Sequence, residues 1–211
     1  IADFAHEYGL NPAPPSTGKR GKVAVIGSGP AGLTVAGDLA KMDFAVTIFE
    51  GQPEPGGVLL FGIPEFRLEK DVVRREINIL RNLGVEIVTE KLIGPDMTVD
   101  DLFTQGYDAI FMGTGTALPR TLDIPGQELS GILTATYFLR VVVLADSGKL
   151  DKKEVLIHDD DEVVVIGAGN VAIDAARTAI RRTSGSVTVL YHKTVEEMSC
   201  LPSEYEAALQ E

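Results

Sequence analysis

Two short stretches carry the residue types and the spacing of a turn that binds dinucleotide phosphates. In such a turn the first glycine permits a tight bend, the second lets the pyrophosphate approach, and the third lets helix and strand pack closely. The helix that follows offers free N–H groups and a partial positive charge to the phosphates. Proline suits the first helical turn, where no N–H partner is needed. The first stretch consists of Gly27, Ser28, Gly29, Pro30, Ala31 and Gly32.

A carboxylate, Glu50, lies at the distance from this first turn at which dinucleotide sites bind the ribose. The stretch follows an apolar run at 23–26 and precedes a helix predicted over about 31–41, and the next predicted strand, 44–50, ends at Glu50. A carboxylate about twenty residues after the glycines accepts hydrogen bonds from ribose hydroxyls. Strand, turn, helix and acid together favour a dinucleotide site over the alternative, a chance glycine cluster in an ordinary turn.

The second stretch has the same form but a different strand end. The next predicted strand, the second strand of this unit, reaches Tyr191, where no carboxylate stands, and His192 and Lys193 follow. A carboxylate would repel a 2′-phosphate, whereas a basic pair attracts one. The sequence therefore favours NADP(H) over NAD(H); the alternative is that the basic pair is only a solvated strand end. The stretch consists of Gly167, Ala168, Gly169, Asn170, Val171 and Ala172.

The remaining elements alternate between strands and helices. This alternation predicts an α/β fold with a parallel, doubly wound sheet. Together with the two glycine turns, we interpret it as a Rossmann-like FAD-binding domain followed by a second, incomplete Rossmann-like NAD(P)-binding unit. We assign residues 1–20 to an arm or linker, 21–159 to the first domain and 160–211 to the second. The other predicted elements are an irregular loop at 51–67, helices at 69–84, 98–106 (capped by Thr98) and 132–144, and strands at 85–90, 107–116 and 186–193.

Composition excludes several classes of function. A formal net charge of −12 over 211 residues repels a nucleic acid backbone. The single cysteine, Cys200, allows neither an internal disulfide nor a C-x-x-C redox pair, and the scattered His6, His158 and His192 suggest no metal site. No run of eighteen apolar residues predicts a membrane span, and no leader is evident. We interpret the chain as a cytoplasmic segment of a longer protein.

Two dinucleotide sites are useful to a protein if two dinucleotides must meet. One, FAD, would stay bound, and the other, NADPH, would deliver hydride to it. Hydride transfer depends on positioning more than on acid–base chemistry, so we name no catalytic side chain.

Three stretches, 22–42, 55–87 and 167–182, together resemble the small (β) subunit of NADPH-dependent glutamate synthase. They also resemble its relatives, the flavin part of dihydropyrimidine dehydrogenase and the NADPH-binding subunit of bifurcating ferredoxin–NADP oxidoreductases. The resemblance covers nearly the whole chain from about residue 3. The "GIPEFR" stretch at 62–67 is its most specific part, because general two-dinucleotide flavoproteins do not carry it.

The resemblance implies cofactor contacts by position. The FAD pyrophosphate would lie on residues 29–33, and Glu50, followed by Gly51, would meet the adenosine ribose. Arg67 would be a cation near the FAD, since a guanidinium suits a pair of phosphate oxygens. Leu33 is the last of the pyrophosphate contacts, and the remaining implied contacts to FAD are Gly57, Val58, Ile93 (through its backbone), Thr114 and Gly115. Those implied to hold NADPH phosphates are Gly167, Gly169, Asn170, Val171 and Ala172.

The resemblance also implies partners that lie outside this chain. Family members carry iron–sulfur clusters on an N-terminal domain and work with a glutamate synthase large subunit or a related catalytic subunit. They often have arginines where this chain has His192 and Lys193, so the NADP preference here is expected to be weaker. Two alternatives remain open: a thioredoxin-reductase-like or ferredoxin-reductase-like flavoenzyme without an iron–sulfur domain, and a non-catalytic binding fragment.

Overall fold

The computed structural model describes residues 17–116 and 122–211, which form two compact units. The first unit contains residues 17–60 and 68–116, and the second contains residues 61–67 and 122–211. Most of the predicted arm, including His6, lies outside the described residues.

The first unit is built on a parallel sheet of four strands. The strands are β1 (Lys22–Ile26), β2 (Ala45–Phe49), β3 (Glu86–Val88) and β4 (Ala109–Met112), in the order β3-β2-β1-β4. The chain moves outward from β1 to β3 and then crosses back to place β4 on the other side of β1. Ligands of such sheets bind outside the carboxyl ends of the strands, at the point where the strand order reverses. This sheet confirms the predicted α/β class.

Helices cover both faces of this sheet. They are α1 (Pro30–Lys41), α2 (Val58–Phe61), α3 (Lys70–Asn82) and α4 (Val99–Thr104). One core joins α1 to the face of the sheet that carries Val25 and Ile48, and another joins α4 to the opposite face, with Leu102 fully buried. Thr98 caps α4 as predicted, because its hydroxyl accepts a hydrogen bond from the backbone of Asp101 at 3.2 Å.

The second unit contains a two-stranded parallel sheet packed with helices. Its elements are α5 (Ala135–Asp146), β5 (Val163–Ile166), α6 (Asn170–Ala179), β6 (Val187–Leu190) and α7 (Pro202–Leu209). Buried apolar side chains of α5 and α6 pack together against the inner faces of both strands. This packing explains why the compact unit includes α5, which lies before the predicted boundary at residue 160.

Two further features concern the predicted loop and the predicted lack of a membrane span. The loop expected to be irregular over 51–67 contains the single helical turn α2, where Leu60 is almost completely buried. None of the described helices is long and apolar enough to cross a membrane.

Candidate functional site: two dinucleotide turns

The first glycine turn is clamped between the ends of β2 and β4. Gly27 has a φ of +94°, and its N–H donates a hydrogen bond to the Phe49 carbonyl at 2.8 Å. A Cβ atom added to Gly27 would lie 2.5 Å from the carbonyl oxygen of Gly113. Since neither backbone segment can move without disturbing the sheet, this position requires glycine.

The other two glycines of the turn have different surroundings. A Cβ on Gly32 would overlap the carbonyl oxygen of Gly27 and lie 3.0 Å from its carbonyl carbon, so this glycine allows α1 to sit close to β1. A Cβ on Gly29 would meet no atom within 4 Å. Gly29 is the cap residue of α1, and no side chain in the described part of the chain caps the helix. The turn therefore has an open side with unfilled helix N–H groups, which is what a pyrophosphate needs.

Glu50 is held rigidly beside this turn. Its side chain is buried although it carries a carboxylate, and the residue is 8% exposed. The Oε2 atom accepts hydrogen bonds from the Ser28 backbone at 3.0 Å and from the Ser28 hydroxyl. The Oε1 atom accepts one from the Gln52 backbone at 2.8 Å. A fixed carboxylate at the end of β2 is suited to accept a hydrogen bond from a ribose hydroxyl.

The long loop after β2 passes directly over the turn. Gly57 has a φ of +52°, and a Cβ on it would lie 2.8 Å from the Cα of Gly29. Val58, the next residue, leaves about half of its surface exposed. Gly51 lies beside Leu92, where an added Cβ would come within 3.2 Å of a leucine methyl group. The loop therefore forms a second wall of the groove in which the turn lies.

Three other predicted contacts follow later strands. Ile93 follows β3 and makes a β-bridge with Met97. Thr114 and Gly115 follow β4 and are exposed. The structure thus brings the predicted FAD contacts other than Arg67 into the first unit, most of them at the carboxyl ends of its strands.

The second glycine turn repeats the geometry of the first. Gly167 has a φ of +122°, and its N–H donates to the Leu190 carbonyl at 2.8 Å. Ala172 stands where the first turn has Gly32, and a Cβ added to Gly167 would lie 3.7 Å from its methyl group, an ordinary contact. Asn170 is the first residue of α6, after the cap residue Gly169, and its Oδ1 accepts a hydrogen bond from the Leu201 backbone at 2.9 Å.

The basic pair after β6 is exposed. The His192 ring packs edge-on against Tyr191 with centroids 5.0 Å apart. The Lys193 ammonium lies 3.5 Å from a carboxylate oxygen of Glu197, and both side chains are about half exposed. An exposed ion pair of this kind is weak, so Lys193 can exchange this partner for a phosphate.

Residues 21–211 match the family described as pyridine nucleotide-disulphide oxidoreductase. The chain belongs to this oxidoreductase family. It is 35% identical over 201 residues to the small chain of glutamate synthase [NADPH] from Escherichia coli, an alignment that covers 94% of this chain and 42% of that protein. It is 39% identical over 179 residues to the β subunit of NADP(+)-dependent formate dehydrogenase from Moorella thermoacetica, which covers 84% and 24%. The resemblance to the glutamate synthase small subunit is confirmed.

The oxidoreductase fold also appears among solved structures. Mycobacterium tuberculosis FprA in complex with NADPH superposes with a TM-score of 0.74 at 22% identity, over 90% of this chain and 47% of that one. At this identity the likeness shows the fold, and it confirms the predicted Rossmann-like architecture. The chain spans less than half the length of the glutamate synthase small chain and of the formate dehydrogenase β subunit.

One group of charged residues in the second unit was not found by sequence analysis. The Arg67 guanidinium lies 2.9 Å and 3.1 Å from the two carboxylate oxygens of Asp174 on α6, and 3.2 Å from Glu204 on α7. Burial raises the pKa of the Asp174 carboxyl, and the Arg67 guanidinium opposes that rise. The signal in the sequence that could have revealed this group is Asp174, an acidic residue on an otherwise alanine-rich, buried helix face.

The aromatic residue before Arg67 is fixed in the same place. The guanidinium groups of Arg177 and Arg181 each lie 4.3 Å from the centroid of the Phe66 ring. Cation–π contacts of this kind stabilise a loop end without a hydrogen bond. The most specific stretch of the family resemblance thus packs within the second unit. A contact of Arg67 with FAD stays a prediction.

Proposed function

We propose that the whole protein is an FAD-dependent oxidoreductase that passes hydride between NADPH and FAD, of the glutamate synthase small-subunit type. The observation that carries this proposal is the pair of glycine turns, each opening an uncapped helix, with Glu50 fixed beside only the first. A turn with a carboxylate suits an adenosine ribose, and a turn followed by a basic pair suits a 2′-phosphate.

The first unit fits an FAD adenosine diphosphate. The open side at Gly29 admits the pyrophosphate, the amides that open α1 would bind it, and Glu50 would accept a hydrogen bond from the ribose. When bound, FAD supplies the flavin ring that exchanges hydride with a nicotinamide. The remaining residues proposed to line it are Leu33, Gly51, Gly57, Val58, Ile93, Thr114 and Gly115.

The second unit fits the phosphates of NADPH. The residues proposed to contact the cofactor are Gly167, Gly169, Asn170, Val171 and Ala172, with His192 and Lys193 near the 2′-phosphate. Exchange of electrons with iron–sulfur clusters and with a glutamate synthase large subunit would depend on parts of the protein outside this chain. A cytoplasmic location stays a prediction from the sequence.

The proposed function is tested with the full-length protein. After unbound flavin is removed, its visible absorption spectrum is expected to show bound FAD, and anaerobic addition of NADPH is expected to bleach it. A colourless protein that cannot be reconstituted with FAD would contradict the proposal. A coloured protein that NADPH does not bleach would support the FAD site and contradict hydride transfer from NADPH.

The basic pair after β6 should set the preference between the two nicotinamide cofactors. Replacing both His192 and Lys193 by alanine is expected to lower the ratio of kcat/KM for NADPH to that for NADH by about tenfold, because hydrogen bonds to a charged phosphate are lost. The measurement is flavin reduction in the full-length protein with each cofactor.

Two single variants serve as controls for this specificity change. Glu197→Gln removes the carboxylate that competes for Lys193 and should raise the NADPH preference slightly. Lys152→Ala removes an exposed lysine elsewhere in the same unit and should change nothing. An unaltered ratio in the double alanine variant would show that the pair is a solvated strand end.

A further inference from the structure

We propose that Ser28 is a positioning residue: its hydroxyl fixes the Glu50 carboxylate for the adenosine ribose of FAD and ties that carboxylate to the loop above the turn. This inference rests on the proposed function. The glycine fingerprint leaves the second position open to any residue type, so the motif itself assigns no task to a hydroxyl there.

The hydroxyl has a determined orientation. Ser28 is fully buried, and its Oγ accepts a hydrogen bond from the Gly56 N–H at 2.9 Å. A backbone amide can only donate, and a serine hydroxyl has one proton, so that proton is available for its other partner. The other partner is Oε2 of Glu50. The Ser28 side chain therefore acts on Glu50 and on the loop, and not on a phosphate.

This arrangement distinguishes the two oxygens of the carboxylate. Oε2 accepts two hydrogen bonds from Ser28, one from its backbone and one from its hydroxyl, which fills its two acceptor positions. Oε1 accepts one, from the Gln52 backbone, among the described residues. We therefore assign Oε1 as the atom that receives the ribose hydroxyl, with the carboxylate plane held by Ser28.

The same hydroxyl links the turn to the loop. Gly56 immediately precedes Gly57, whose backbone approaches Gly29 closely. Without the Ser28 hydroxyl, the buried amide of Gly56 loses its acceptor and Glu50 loses one of the donors that fix it. A buried group left without its partner is costly, so both the carboxylate and the loop are expected to shift.

The test uses the full-length protein and its dissociation constant for FAD. Ser28→Ala is expected to weaken FAD binding by about tenfold, the effect of losing a hydrogen bond to a charged group. Ser28→Cys keeps the volume but is a weak donor and should weaken binding nearly as much, which guards against an alanine variant that folds poorly. Ser28→Thr keeps the hydroxyl and should restore most of the affinity.

A double-variant comparison separates positioning from general support of the fold. If Ser28 acts through Glu50, then Ser28→Ala should add little to the loss caused by Glu50→Gln. Additive losses would overturn the proposal, and so would wild-type affinity in both Ser28→Ala and Ser28→Cys. Thr104→Ala, which removes an exposed hydroxyl bond on α4, is the matched control and should bind FAD normally.

The outcomes also separate this inference from the function on which it rests. A wild-type protein that binds FAD, with Ser28 variants that bind it equally well, overturns only the role of Ser28. A wild-type protein that binds no FAD overturns the proposed function and this inference with it.

Discussion

Replacing Gly32 by alanine is expected to abolish FAD retention by the full-length protein and to lower its thermal stability. The added methyl group would overlap the carbonyl oxygen of Gly27, and backbone lies on both sides of the contact. Helix α1 must then move away from β1, which disturbs the fully buried Val25 and Ala36. Overpacking of this kind costs about 1–3 kcal/mol of unfolding free energy.

The matched variant is Gly29→Ala, in which the same methyl group is added three residues earlier. Gly29 has a φ of −67°, which alanine adopts freely, and its added Cβ meets nothing within 4 Å. We expect the Tm of the FAD-free protein to stay unchanged while FAD binding is lost, because the methyl group occupies the approach to the pyrophosphate. The pair thus separates a packing glycine from a binding glycine.

Two results would contradict this division. Wild-type FAD affinity in Gly29→Ala would show that the pyrophosphate does not approach the backbone there. An unchanged Tm in Gly32→Ala would show that α1 tolerates a side chain against β1. The measurements are a flavin-binding titration and thermal unfolding of the FAD-free protein, made side by side on both variants.

The sequence predicted the strand–turn–helix units because their determinants are local. Gly27 and Gly32 restrict backbone conformation and approach at their own positions, and the Thr98 cap depends on a residue three positions later. The position of Glu50 at the end of β2 follows equally from strand length. Local rules of this kind need no knowledge of what lies across the sheet.

The partners of these residues could not be predicted in the same way. The hydrogen bonds between Ser28 and Glu50 depend on the parallel register of β1 and β2, which places Ile26 beside Phe49. The loop over 51–67 has no hydrophobic period, so only tertiary packing decides where Arg67 lies. The helix at 132–144 was predicted from local pattern, but its packing against α6 and the following strands, across the predicted boundary at residue 160, depends on tertiary apolar contacts.

The second large expected effect is a loss of stability when the buried carboxylate of Asp174 loses its ion pair. Replacing Arg67 by methionine is expected to lower the unfolding free energy by about 3 kcal/mol, because it leaves the Asp174 carboxylate, which is 5% exposed, without its main cation. Chemical denaturation of the full-length protein measures this loss. Arg74→Met removes an exposed arginine that pairs with Glu54 and Asp71, and it should cost close to nothing.

The loss in the Arg67→Met variant should depend on pH in a defined direction. Without the Arg67 guanidinium, burial still raises the pKa of the Asp174 carboxyl, Glu204 adds to that rise and Arg177 opposes it, so the pKa lies further above the ordinary value of 3.8. The folded state then holds a proton that the unfolded state has already released. The variant should therefore lose stability as pH rises from about 4 through that raised pKa. The double variant Arg67→Met/Asp174→Asn has no carboxyl at this position, so its unfolding free energy should change little over the same pH range.

The same variants decide what Arg67 contacts. If its guanidinium acts on Asp174 and Glu204, as the distances indicate, then Arg67→Met and Asp174→Asn should both keep FAD and should be less than additive in stability. The family resemblance implies instead that Arg67 lies near the FAD, in which case Arg67→Met releases FAD and Asp174→Asn does not. We expect the first result, because a guanidinium held by two acidic side chains in the second unit would have to give up both to reach a phosphate.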